Sequence, residues 1–141
     1  MSWRGWSRSV DDLEFPDGVM AVLDLIRGKE FAGQTLNAGK YMPTDKYGQL
    51  EKVPFALVVG EGGTPGYVDQ VERLRVEVYA PFDEALEIAK AIKKQIVGTD
   101  IDTSAGFLDK IKPDQVPTDV PYAGDLSKAT LLLSITSRPK D

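Results

Sequence analysis

Residues 53–81 read VPFALVVGEGGTPGYVDQVERLRVEVYAP, and the fold turns on what the glycine-rich GEGGTPG at 60–66 does in the middle of it. On its N-terminal side Val53, Phe55, Leu57 and Val59 alternate with Ala56 and Val58, so both faces of an extended segment are apolar, as in a central strand. On its C-terminal side Leu74, Val76 and Val78 alternate with Arg73, Arg75, Glu77 and Tyr79. This is the pattern of a strand with one face in the core and the other wet or set against another subunit. A phosphate-binding loop needs a Lys-Ser/Thr pair at its end and a helix N-terminus after it. GEGGTPG has no such pair, and a strand pattern follows it. The stretch therefore reads as a turn: its glycines supply positive φ, and Thr64-Pro65-Gly66 suits a type I or II turn with proline second. Residues 60–70 become the tip of a long hairpin that reaches away from the domain and is placed to carry contacts.

Outward from the hairpin, residues 81–97 read as a helix, with Ala85, Ile88, Ala89, Ile92 and Ile96 in one apolar stripe. Asp83, Glu84 and Glu87 lie early and Lys90, Lys93 and Lys94 late, the order a helix dipole favours, and Gly98 closes it. Residues 17–28 read as a second helix, capped by Asp17, striped by Val19, Val22, Leu23 and Ile26, and closed by Gly28. QTLNA at 34–38 is a short strand candidate. GKYMPTDKYGQLEK at 39–52 is a polar loop, expected to be mobile or covered by a partner. KATLLLSITSR at 128–138 is a strand with Leu131, Leu133 and Ile135 on one face. Between Gly98 and Ser127 lie Pro113, Pro117, Pro121 and six aspartates around a small apolar patch at Phe107, Leu108 and Ile111, a length of unstructured chain that suggests ordering by a partner. The expected fold class is α+β: a small, mostly antiparallel sheet of about four strands, two main helices packed on one face, a long hairpin and long connecting loops. Residues 1–10 form an N-terminal arm and 11–141 one domain.

The chain has 141 residues, 42% hydrophobic and 28% charged, which suits one soluble globular domain. Its formal charge of −5 is the wrong sign for gripping nucleic acid phosphates. No apolar run approaches the roughly 20 residues of a membrane span, and MSWRGWSRSV has no apolar block of the signal-peptide kind, so the protein is expected to stay where it is made. Histidine and cysteine are both absent, which removes disulfides, thiolate and imidazole chemistry and most transition-metal sites. No carboxylate spacing singles out an acid/base pair, so neither enzymatic activity nor a cofactor is expected. DIDTSAGFLDKI, from Asp100, resembles a calcium loop at its first positions but has Ala105 where the turn glycine belongs and Ile111 where the bidentate glutamate belongs. It reads as a polar turn. Trp3 and Trp6, interleaved with Arg4 and Arg8, are either interface anchors or rings packed locally on the first helix.

The run VPFALVVGEGGTPGYVDQVERLRVEVYAPFDEALEIAKAIKKQI, with FPDGVMAVLDLIRG before it and ATLLLSITSR after it, resembles the tail terminator (tail completion) proteins of long-tailed siphophages. The carrying features are the GGTP turn at Gly62–Pro65, the Arg73–Tyr79 strand and the acidic-to-basic helix from Asp83 to Lys94. The resemblance implies a structural subunit of the virion that forms a homo-oligomeric ring, typically a hexamer, on the finished tail tube. Such a ring ends tube polymerisation and docks to the head connector or neck proteins; the subunit would be made in the host cytoplasm and reside at the head-proximal end of the tail. Six copies at −5 each would carry roughly −30, repelling DNA so that the genome slides through without specific binding. No membrane is involved. The resemblance also implies interface roles for the tip residues Glu61, Gly62, Gly63, Thr64, Pro65 and Tyr67, for Arg73 and Arg75, and for the Asp-rich 99–126 segment, ordered by assembly. The alternatives are another phage neck or head closure protein, and a small carboxylate-based enzyme or ligand-binding module.

Overall fold

In the computed structural model residues 14–64 and 69–139 are described, and within them the hairpin forms as a pair of long strands, β4 (Phe55–Thr64) and β5 (Gln70–Pro81). Before it come α1 (Gly18–Ile26), the two-residue strands β1 (Glu30–Phe31) and β2 (Gln34–Thr35), and β3 (Asn37–Gly39). After it come α2 (Glu84–Ile96), β6 (Gly98–Thr103), β7 (Gly106–Pro113), β8 (Thr118–Pro121) and β9 (Leu126–Ser137). β1 and β2 make a small separate hairpin, turned at Ala32 and Gly33 with φ of 52° and 79°.

The helices begin where local chemistry favours them. Asp17 accepts the Met20 N–H at 3.2 Å and caps α1, which buries Ala21, Val22, Leu23 and Ile26. In α2, Glu84 and Glu87 occupy the first turn and Lys93 and Lys94 the last, while Ala85, Ile88, Ala89, Ile92 and Ile96 are buried.

The sheet departs from the expected one. Instead of about four strands with two helices on one face, it is a curled, mixed sheet of seven strands, in the order β3-β4-β5-β9-β7-β6 with β8 also paired to β9. β3 runs parallel to β4, and every other pairing is antiparallel. Five interstrand steps span roughly 24 Å, about twice the width of a helix. Yet α1, nine residues long, packs against β3, β4 and β5 and also against β6 at the far end of the order. The sheet therefore wraps around α1 as a half-barrel, while α2 lies over β5 and β9. The inner face is set by register: Leu74, Val76 and Val78 of β5 stand opposite Leu133, Leu131 and Ala129 of β9, and all six are fully buried.

The largest correction falls on residues 99–126. They form β6, β7 and β8 within the single chain, so their order does not wait for a partner. Their signal was faint because, Pro117 aside, only Leu108 and Ile111 are buried, three positions apart and out of step with strand alternation. Asp100, at φ 55°, interrupts the alternation between the Thr99–Lys110 and Ile101–Leu108 pairs. Pro113 and Pro121 are the last residues of β7 and β8, where a missing N–H costs no ladder bond. The former calcium-loop candidate is thus a hairpin, and its Ser104 N–H donates to Asp24 Oδ2 of α1 at 2.9 Å, which holds that carboxyl below its usual range. The 39–52 loop also has its own structure: Asp45 Oδ1 accepts the N–H groups of Tyr47 at 2.8 Å and Gln49 at 2.9 Å, and Thr44 bridges to Leu50.

Candidate functional site

The hairpin is where sequence and structure meet most closely. β4 and β5 pair without interruption from Phe55–Tyr79 to Gly60–Leu74, then slip, resuming at Gly63–Glu72 and Thr64–Val71. Glu61 and Gly62 of β4 therefore oppose the single residue Arg73, a β-bulge. Gly62 takes φ 86°, a region that is unfavourable for residues with a Cβ. Gly63 is required for a different reason: a Cβ there would overlap the Val71 carbonyl oxygen and crowd the Glu72 Cα. Far from cradling a phosphate, the glycines let two backbones approach and bend.

Beyond the bulge the hairpin does not stand free, because β5 pairs with β9 along its whole length, from Gln70–Ser137 to Pro81–Leu126. This corrects the picture of a tip reaching away from the domain. β4, however, pairs with β3 only at Phe55, Ala56 and Leu57. Among the described residues its outer edge from Val58 to Thr64 has no strand partner, and Gly60 to Thr64 are all exposed.

The predicted site residues fall into two sets. Glu61, Gly62, Gly63, Thr64, Arg73 and Arg75 come together at the bulge and on the outer face beside it. Trp3, Trp6, Pro65 and Tyr67, with the 1–10 arm, lie outside the described residues. Arg73 is exposed and makes no salt bridge among the described residues, whereas Arg75 reaches Glu61 Oε1 at 2.6 Å.

The outer face of β5 is less wet than its alternation suggests. Glu77 and Tyr79 are both buried there, at 9% and 4% exposure. Glu77 Oε2 sits 3.2 Å from Lys128 Nζ and 3.6 Å from Arg75 Nε, and Tyr79 OH donates to Glu77 Oε1 at 3.5 Å. The Tyr79 ring meets Tyr122 edge to face at 4.8 Å. Burial pushes the Tyr79 phenol up to about 12, assisted by the Glu77 charge, so it stays a neutral donor. Tyr122 and Lys128 complete the cluster from a segment and a strand that the alternation of β5 alone could not have named.

Beyond the bulge, Glu72 Oε1 accepts the Gly18 N–H at 3.1 Å and fastens β5 to the start of α1. A Cβ on Gly18 would lie 2.6 Å from that oxygen, so the contact depends on glycine. Burial raises the Glu72 carboxyl above its ordinary 4.5, opposed by the Gly18 hydrogen bond and assisted by the Asp17 charge. A carboxyl raised in the folded state favours folding fully below 4.5, and this contribution is lost as pH rises through the raised value. Glu72→Gln keeps the acceptor and removes the charge. Its melting temperature should equal or exceed that of the unmodified protein at pH 7, with the gap narrowing below pH 4.5. Glu72→Ala should melt lower at both. A glutamine variant as weak as the alanine one at neutral pH would show that the charge itself is needed.

One feature was not foreseen from sequence. Beside β3, an open groove of about 550 Å³ is lined by Arg27, Lys40 and Lys52 together with Met20, Tyr41 and Phe55, and by no acidic residue. Arg27 is positioned by donating from Nε to the Ala38 carbonyl at 3.1 Å. Lys40 and Lys52 stand 12 positions apart in sequence, with Asp45, Lys46 and Glu51 between them, so no cluster was visible. Comparison with known proteins finds no family model that matches this chain and no curated protein that matches it.

Proposed function

We propose that this chain is a structural assembly subunit of a long-tailed phage virion, which forms a ring on the tail tube, ends its growth and presents the surface for head joining. The observation that carries the reading is the outer edge of β4, which among the described residues has no strand partner from Val58 to Thr64 and is exposed from Gly60 to Thr64. An edge rich in glycine and poor in blocking side chains is a template on which another chain can add a strand. Its single acid, Glu61, is already neutralised by Arg75, and Arg73 stands beside the bulge with its charge toward solvent. Such a subunit acts by binding, so it needs no catalytic group or cofactor, and its net charge of −5 suits a channel through which DNA passes without sticking.

The test combines the purified chain with tail tube protein and follows rings and capped tubes by native mass spectrometry and negative-stain imaging. Unmodified protein should cap tubes. Arg73→Glu should raise the concentration needed roughly tenfold while leaving the monomer's melting temperature unchanged, because a rim charge acts on association. Capping unaffected by this reversal would remove the β4 edge from the contact, and a chain that caps nothing but joins filled heads would move the protein to the neck.

A further inference from the structure

The strand registers place two chemically opposite surfaces at the two ends of one row of the sheet. Asn37 stands opposite Phe55, Phe55 opposite Tyr79, Tyr79 opposite Lys128 and Lys128 opposite Val120. At this end of the molecule the order is β3-β4-β5-β9-β8, and its edges lie four steps of roughly 4.8 Å apart, about 19 Å.

At the β3 edge lies the groove with Arg27, Lys40 and Lys52, flanked by Tyr41 at 82% exposure and Met20 at 40%. At the β8 edge, residues 113–127 carry Asp114, Asp119 and Asp125 and no basic residue. Val116, Val120 and Tyr122 of that segment are 69%, 52% and 48% exposed, and every residue of β8 faces solvent. One edge is a groove that is cationic and apolar; the other is a ridge that is anionic and apolar.

A chain of net charge −5 that binds itself must bring unlike charges together at the contact, or copies repel. These two edges offer surfaces of opposite sign, each with exposed apolar side chains beside its charges. We propose that the 113–127 ridge of one copy seats in the β3 groove of the next, with Asp119 and Asp125 against Lys40 and Lys52 and the exposed valines and Tyr122 against Met20 and Tyr41. The two surfaces differ, so the contact is head-to-tail, the kind that closes into a ring when the rotation between copies allows. This contact rests on the ring reading above and specifies its subunit joint; the β4 edge, being separate, stays free for the tube.

The test is a charge exchange on the full chain, read by native mass spectrometry and sedimentation with and without tail tube protein. Lys40→Glu with Lys52→Glu makes both edges acidic, and Asp119→Lys with Asp125→Lys makes both basic. All four positions are exposed, so each double variant should melt as the unmodified protein does. Each alone should assemble at least tenfold more weakly, and an equimolar mixture should recover rings, since every groove then faces a ridge of opposite sign. The quadruple variant should recover them by itself. Raised salt should weaken the unmodified ring. Rings formed equally well by both double variants, or a mixture that does not recover, would overturn this contact while leaving the ring reading intact. Intact rings in a Lys40→Glu, Lys52→Glu variant that has instead lost affinity for duplex DNA would assign the groove to phosphates and overturn it too. Unmodified protein that forms no ring even on tubes would sink both readings.

Discussion

Gly63→Ala should lower stability by about 2–3 kcal/mol, because the added Cβ meets backbone, which cannot swing aside as a side chain can. The residue sits where the slipped register of β4 resumes opposite Glu72, so relief requires prising β4 from β5 at the bulge. Two other substitutions isolate the cause. Gly62→Ala meets no atom within 4 Å but keeps φ at 86°, so its cost should be the left-handed backbone alone, about 1–2 kcal/mol. Gly98→Ala meets nothing and carries no positive φ, and should be nearly neutral. Chemical denaturation of the three variants would order them Gly63, Gly62, Gly98. A Gly63 variant as stable as the Gly98 one would mean that the bulge forms some other way. On the capping function proposed above, the bulge also aims Arg73, so Gly63→Ala should weaken tube capping more than its stability loss explains.

Leu133→Ala should cost more, about 3–4 kcal/mol. Leu133 is fully buried and stands opposite both Leu74 of β5 and Pro113 of β7, so its side chain lies where the hairpin half of the sheet meets the β6–β7 half. Strands on two sides limit how far the site can collapse to fill the void, which places the cost above the lower end for leucine truncation. Against a typical domain stability of about 5–15 kcal/mol, such a loss is a large share of the total, and the variant should be almost wholly unfolded where the parent is half unfolded. The expected readout is a lower denaturant midpoint with an unchanged slope. Leu132→Ala, on the opposite face and only half-buried, should cost far less. Equal losses at the two positions would contradict the assignment of inner and outer faces on β9.

The two halves of the chain were unequally legible. In the hairpin the inner face follows from near neighbours, since Leu74, Val76 and Val78 alternate strictly and are all buried, although the burial of Glu77 and Tyr79 on the other face does not. In 99–126 the apolar positions Ile101, Leu108 and Ile111 have no single period, because Asp100 breaks the alternation and β9 supplies the partner from far along the chain. The 39–52 loop hid its charges similarly, since only folding on Asp45 and the approach of α1 bring Lys40, Lys52 and Arg27 to one groove.

By itself the sequence determined two amphipathic helices, the Asp17 cap of the first and the charge order of the second, the strand character of β4, β5 and β9, and the absence of histidine and cysteine chemistry. These rest on contacts a few residues apart or on composition. Only the tertiary structure decided the number of strands, the curl around α1, the bulge that makes Gly63 indispensable, the burial of Glu77 and Tyr79, and the gathering of opposite charges at β3 and β8. Each of these depends on which distant segments become neighbours, a choice made by burying the shared apolar face of the whole chain at once, and local pattern carries no record of it.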